Sequence, residues 1–286
     1  MTDLDHIAHF LPDLDAARQR LIQIGFTLTP FSAQWHRLAA DQPLIPAGTG
    51  NQCIMLNRGY LEFLTPTHDT AHAEQLRVSI GRYTGIHLVA LGTQNPQEDF
   101  DRLDREGFNP LPAVHLQRQI HTLEKEETAR FTVVRVAPTT MSEGRIQFCQ
   151  QHTPEFLWQP RWLEHPNGAE ALSAVIFCVK DPLEAAKRYS RYTGRTTQAA
   201  LGGFELTTDH GDLIFWDEKS LYKNWGITAP TLPWIAGFAI KTNNLQKTQE
   251  WVKAKPLGPT LLTALDPCLG SHVLFHASGT SMKDWL

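Results

Sequence analysis

Short apolar runs recur along the chain, each followed by a polar stretch with helical spacing. Leu4-Asp5-His6-Ile7-Ala8-His9-Phe10 reads as a strand that ends at Pro12-Asp13. Asp13 is a good helix N-cap, and Leu14, Ala17, Leu21 and Ile24 follow at the spacing of one helical face. Gly25 stands where a C-cap glycine ends a helix. Phe26 to Thr29 then predicts a strand, and a long polar loop runs through Trp35, His36 and Pro46. Gly48-Thr49-Gly50-Asn51 turns into the strand Gln52 to Leu56. Asn57-Arg58-Gly59 makes a hairpin into the apolar run Gly59 to Leu64. The order is strand, helix, three strands.

That order repeats. Thr84 to Leu91 opens a second unit, and Asn95-Pro96 supplies a cap followed by proline in the first helical turn. Phe100 and Leu103 mark the stripe, Gly107-Phe108 echoes Gly25-Phe26, and two alternating stretches follow, His115 to Leu123 and Arg130 to Val136. Gly144 to Cys149 closes the unit. A Pro- and Trp-bearing segment, Pro154 to Gly168, is expected as a linker packed onto the surface, since Phe156, Leu157, Trp158 and Trp162 are poorly suited to water. A third unit starts at Leu172 and continues through strands at Phe204 to Leu206 and Asp212 to Trp216. A fourth starts at Trp234, with a helix expected from about Asn244 to Lys255 and a strand over Ser271 to Phe275. Four units of one order form an internal repeat. One helix per roughly three strands points to an α+β fold with mixed sheets and helices on their outer faces. Two domains are expected, 1–160 and 168–286.

Composition narrows the class. A chain of 286 residues with 42% apolar and 20% charged content is an ordinary globule, long enough for two domains. A net charge of −4 gives no electrostatic case for nucleic acid or an anionic membrane. No run reaches the length of a membrane span, and Met1 to Asp5 lacks a secretion signal. Cys53, Cys149, Cys178 and Cys268 lie far apart with no Cys-x-x-Cys pair, which fits free thiols in a reducing cytoplasm.

Candidate chemistry centres on His6, Glu62 and His87, each inside an apolar strand. A carboxylate among Leu and Phe is costly to bury unpaired. Sharing a divalent metal with two imidazoles resolves that cost, and so does a salt bridge from Glu62 to Arg58 or Arg82 with both histidines satisfied in the sheet. His9 falls outside the ligand pattern and is read as structural. Asn51, His115, Arg118, His152 and Glu155 are the candidate substrate contacts, Arg118 and His115 for an anionic group, with His152 and Glu155 just after the last strand of the second unit.

The motifs Leu4-Asp5-His6-Ile7, Pro12-Asp13-Leu14-Asp15-Ala16-Ala17, Gly48-Thr49-Gly50-Asn51, Tyr60-Leu61-Glu62-Phe63-Leu64, Gln151 to Glu155 and His165 to Ala169 resemble the glyoxalase-like domain family. That family sits in the vicinal oxygen chelate superfamily, with glyoxalase I, the extradiol dioxygenases and the fosfomycin-resistance proteins. The resemblance covers about residues 3 to 170. It implies four βαβββ modules paired into two cup-shaped sheets. It also implies a divalent ion (iron, manganese, zinc, nickel or cobalt) in slots falling on His6, Glu62, His87 and Gln147. Gln147 stands where glyoxalase I has its proton-moving glutamate, and an amide is no general base, so the glutathione-thioester isomerase reaction is disfavoured. The remaining pair of histidines and one carboxylate match the facial triad of non-haem iron oxygenases. The later modules carry Ala174, Ile214, Gly237 and Val273 in those slots, so residues 170–286 are read as a metal-free partner. The expected function is a metal-dependent lyase, isomerase or dioxygenase acting on a small oxygen-chelating substrate, or a metal-free small-molecule binding protein of the same fold.

Overall fold

A computed structural model of the chain describes residues 2–36, 43, 45–280 and 285. The first module is β1 (Thr2–Phe10), α1 (Leu14–Gln23), β2 (Ser32–His36), β3 (Ile45–Met55) and β4 (Tyr60–Pro66). After α2 (Ala71–Arg82) comes the second module, with β5 (Gly85–Thr93), α3 (Pro96–Arg105), β6 (Val114–His121), β7 (Glu126–Arg135) and β8 (Arg145–Gln151). A short helix, α4 (Pro154–Leu157), leads to the third, with β9 (Ala169–Cys178), α5 (Pro182–Thr193), β10 (Thr197–Ala200), β11 (Gly203–Thr207) and β12 (Asp212–Trp216). Following α6 (Glu218–Trp225), the fourth holds β13 (Trp234–Thr242), α7 (Leu245–Trp251), β14 (Ala254–Leu257), β15 (Thr260–Thr263) and β16 (His272–Ala277).

The helices begin where side chains can satisfy free backbone donors. Asp13 accepts from the Ala16 N–H at 3.0 Å, and Asp181 accepts from both Leu183 and Glu184. Asn95 caps α3, with Pro96 in its first turn.

Each pair of modules builds one eight-stranded sheet, ordered β2-β3-β4-β1-β5-β8-β7-β6 in the first and β10-β11-β12-β9-β13-β16-β15-β14 in the second. Within a module the first and last strands run parallel, and the two modules join through antiparallel first strands, β1 with β5 and β9 with β13. The first sheet curls until its edge strands β2 and β6 approach one another. This is the expected α+β architecture of two cup-shaped mixed sheets. Convex-face residues of both sheets, Ile7 and Val175 among them, join one hydrophobic cluster with the buried stripes of α1, α3 and α5. Among the described residues, no helix is long and apolar enough to cross a membrane.

Four local expectations are corrected. Phe26 to Thr29 is not a strand. It lies against β3 through the Thr29 N–H and hydroxyl, and Pro30, which has no N–H to give a ladder, precedes the true edge strand β2. The loop expected through Trp35, His36 and Pro46 is strand at both ends, and residues 37–42 and 44 lie outside the described residues. The helix expected to Lys255 stops at Trp251, because β14 takes over from Ala254. The segment after Pro154 is not merely on the surface. Leu157 is buried on the concave side of the first sheet, Trp158 and Trp162 pack beside it, and the Trp158 indole donates to the Leu56 carbonyl at 2.9 Å.

His9 ties the two sheets together. It is fully buried, stacks on Phe63 at 4.8 Å, and its Nε2 lies 2.8 Å from the Ser271 hydroxyl in the second half. Burial, with His87 nearby, pushes its pKa from 6.5 down to about 3, and burial takes His87 down to about 4. Unfolded, both rings take up protons below about pH 6.5, whereas the folded chain resists doing so. Stability is therefore full above about pH 7 and falls as pH drops through 6.5 toward 4. Thermal melts across that range are expected to show the fall. His9→Gln should lessen it, leaving the share of His87, and cost about 1–3 kcal/mol at pH 7.5 from the disturbed Ser271 bond and lost stacking. An undiminished slope in the variant refutes the assignment to His9. Thiol labelling gives an independent check of packing. Cys53 and Cys178 are pushed up to about 12 by burial, and Cys149 is also raised, so at pH 8 a disulfide reagent should modify only the half-buried Cys268 before denaturation.

Candidate functional site

The concave faces of the two sheets have the same register and opposite chemistry. In the first sheet, one row across the strands reads Glu62, Ala8, Leu88, Arg145, and the next reads Tyr60, His6, Ala90, Gln147, Arg135. In the second sheet the same rows read Ile214, Ile176, Gly237, His272 and Asp212, Ala174, Ala239, Leu274, Leu262. The second interior is closed by its own side chains, with Trp216, Trp225, Trp234 and Trp285 in one buried cluster with Ile214 and Leu274. Its ionisable exceptions among the described residues include His272, Glu205, which lies opposite Ile214, and Asp212, whose carboxyl is pushed up to about 7 by burial and by nearby Glu205. The first interior is lined by ionisable and amide side chains among Phe10, Leu88 and Val133. That makes it the candidate site.

Glu62 is held by neither of the arginines expected as its salt-bridge partners. It accepts from the Asn51 amide, and Asn51 in turn accepts from Arg118 at 3.3 Å. Arg82 instead donates to the Pro233 carbonyl at 3.1 Å. Arg118 reaches Asn51 from β6 because the sheet has closed on itself. Burial opposes the Arg118 cation, but neighbouring Cys53, Tyr60 and Glu62 hold its pKa above the usual value. Cys53 and Tyr60 are raised by burial and neutral near pH 7, so Glu62 is the anion that matters. Arg145, across the cup, is lowered to about 10 by burial and by Arg135, against the pull of Glu62. It stays a cation at neutral pH.

The register fixes how the first two modules correspond. Ala8 pairs with Glu62 as Ala90 pairs with Gln147, so Leu88 stands where His6 stands, and His87 matches Asp5. Both Asp5 and His87 are skipped at β-bulges between β1 and β5. A one-residue shift of this kind changes which side chain faces inward. His6 stacks on Tyr60 at 4.3 Å with its Nδ1 2.8 Å from Asp5. His87 stacks on Tyr83 at 4.0 Å, and its Nε2 donates to the Tyr83 carbonyl at 2.7 Å. Gln147 lies in the His6 row, beyond Ala90. Among the described residues, no three His, Cys, Asp or Glu side chains gather as a metal-holding group. The same shift corrects the second sheet, where Ala236 and Leu274, rather than Gly237 and Val273, match His87 and Gln147.

Of the candidate substrate contacts, Asn51 and Arg118 lie in the cup. His115 and His152 do not. They point from the opposite face, each within hydrogen-bond distance of the Thr132 hydroxyl, at 3.1 and 2.7 Å. Alternation explains this, because Leu116 and Phe131 take the inward positions beside them. Glu155 is exposed on α4. Sequence reasoning missed Arg135, Arg145, Asp5 and Gln151. Gln151 donates to Asp5 at 2.9 Å, completing the Asp5–His6 pair. The available signal was alternation: Arg145 lies two residues before Gln147, and Arg135 two after Val133, so each shares a face with an inward neighbour.

No curated protein sequence matches the chain. Among solved structures, a hypothetical protein from Staphylococcus aureus is similar at a TM-score of 0.68 and 12% identity, over 97% of this chain and 100% of that one. A xylose isomerase-like TIM barrel/4-hydroxyphenylpyruvate dioxygenase fusion protein is similar at 0.57 and 10% identity, over 98% of this chain and 50% of that one. A mutant 4-hydroxymandelate synthase from Streptomyces coelicolor is similar at 0.55 and 12% identity, over 99% and 96%. At such identities the likeness is one of fold. The profile of the glyoxalase-like domain matches residues 4–193, spanning the whole first sheet and the start of the second, and the chain belongs to that family, with the vicinal oxygen chelate fold.

Proposed function

We propose that the cup of the first sheet is a metal-independent binding site for a small oxygen-bearing molecule, and that the second sheet serves as its structural partner. The observation that carries this reading is the charge inside the cup. Arg118, Arg135 and Arg145 face inward against Glu62 and the Asp5–His6 pair. Three guanidiniums repel a divalent cation, and they suit an electron-rich ligand. The donor set supports the same conclusion. His87 spends one ring nitrogen on the Tyr83 carbonyl, and Glu62 is engaged by Asn51. The residues therefore do not fit the divalent ion that the family resemblance implies.

One observation favours the metal-dependent lyase, isomerase or dioxygenase reading. Asp5 bonded to His6 Nδ1 leaves Nε2 free, the arrangement in which a carboxylate orients a metal-ligating imidazole. The two readings separate cleanly. Untagged protein reconstituted with iron(II), manganese, zinc, nickel or cobalt is expected to retain far less than stoichiometric metal, and Glu62→Gln to leave that amount unchanged. Stoichiometric metal that is lost in both Glu62→Gln and His6→Ala overturns the metal-independent reading and directs assays to dioxygen uptake and isomerisation.

A further inference from the structure

We propose that Arg135 and Arg145 form an anion-binding subsite within that cup, and that its ligand is a small organic carboxylate whose apolar body lies against Phe10, Leu88 and Val133. This rests on the reading of the cup as a binding site and names what it binds.

Position comes first. Arg135 lies opposite Gln147 on neighbouring antiparallel strands, so Arg145, two residues earlier on β8, is its diagonal neighbour on the same face. Diagonal neighbours sit about 7–8 Å apart, within reach of two long side chains converging on one anion. Their mutual repulsion is felt: Arg135 is the second cause, after burial, of the lowered Arg145 pKa.

Neither cation is neutralised by another described residue. Among the described residues, the ion pairs include neither Arg135 nor Arg145. The Arg135 Nε is buried without a hydrogen-bond partner, and so is the Nε of Arg118 nearer Glu62. Buried guanidinium donors left unmatched are costly, and they are rare unless something else completes them. A carboxylate accepts from paired N–H donors and meets both needs at once.

The surroundings decide between anions. Arg145 lies over the Phe10 ring at 5.8 Å, Leu88 stands beside it in its row, and Val133 lies two residues before Arg135 on β7, on the same face. Ala8 and Ala90, one in each row, are the small side chains of the floor. These walls favour a ligand with an apolar body. Glu62 at the far end of the Arg145 row repels a second negative charge, so a monoanion suits the cup better than a phosphate dianion.

Titration calorimetry on the full chain at fixed ionic strength tests this with benzoate, hexanoate, inorganic phosphate and benzyl alcohol. Benzoate and hexanoate are expected to bind, and Arg135→Met or Arg145→Met to weaken each about ten- to a hundredfold, the loss expected from a charge-assisted hydrogen bond. Arg105→Gln, on α3 away from the cup, should change nothing. Without ligand, Arg145→Met is expected to melt no lower than the parent chain, since it removes an unpaired cation, and this separates lost binding from lost folding. The inference is overturned if neither carboxylate binds, if both arginine variants bind as the parent does, or if phosphate binds as tightly as benzoate. Tight binding of benzyl alcohol, unaffected by the arginine variants, also overturns it while leaving the cup as a binding site. Metal occupancy that depends on Glu62 instead removes the reading on which it rests.

Discussion

Antiparallel pairing of β1 with β5, interrupted by a bulge near each end, is the constraint on which the rest of the molecule depends. It joins two modules into one curled sheet and decides which residues of every other strand face the interior. Strand side chains alternate, so one skipped residue exchanges the inner and outer sets. The bulges at Asp5 and His87 bring these residues next to His6 and Leu88 instead of leaving them in step with the ladder. Asp5 then reaches the His6 ring, and His87 turns to Tyr83. What looks in the sequence like a repeated ligand histidine is, in the folded chain, two different positions of the repeat.

The same topology has been used twice with different fillings. In the second sheet, α6 brings Leu221 and Trp225 against Trp216 and Leu262, and the interior becomes a core. In the first, α2 places Leu76 over the sheet from the matching place between modules. The segment after Pro154 brings in Leu157 from another side, yet the central rows remain charged and polar. A core of tryptophan and leucine stabilises through burial alone. Arginines beside a carboxylate do not, because the loss of hydration offsets most of their attraction. The first cup therefore gives up stability that the second keeps, which is consistent with the binding role proposed for it.

Much of this was legible in advance. The four modules, their caps at Asp13 and Asn95, and most strands follow from apolar periodicity and local capping chemistry, which act over a few residues. The inward-facing arginines were not, because which face is inner depends on bulges and pairing partners far away in sequence. His115 and His152 failed for that reason, one position out of phase with Leu116 and Gln151. The helix α2 was hidden for another. It buries only Ala73 and Leu76, too thin a stripe to stand out, although Thr70 caps it by accepting from Ala73.

Glu62 shows how far a single residue can be read from sequence. A carboxylate in an apolar strand demands a compensating partner, and that demand is physical and independent of family. Its identity is not. The partner here is an amide, Asn51, backed by a guanidinium that arrives from the far edge of the sheet. Asn51 is therefore as much a part of the electrostatics of the cup as Arg118, because it fixes the carboxylate on one wall and leaves the opposite wall, with Arg135 and Arg145, without a counter-ion among the described residues. Had Glu62 been drawn across to Arg145, the charges would have cancelled within the protein. Held apart, they give the cup a polarity, with an acceptor at one end and donors at the other, and on the proposed function that polarity would orient the ligand.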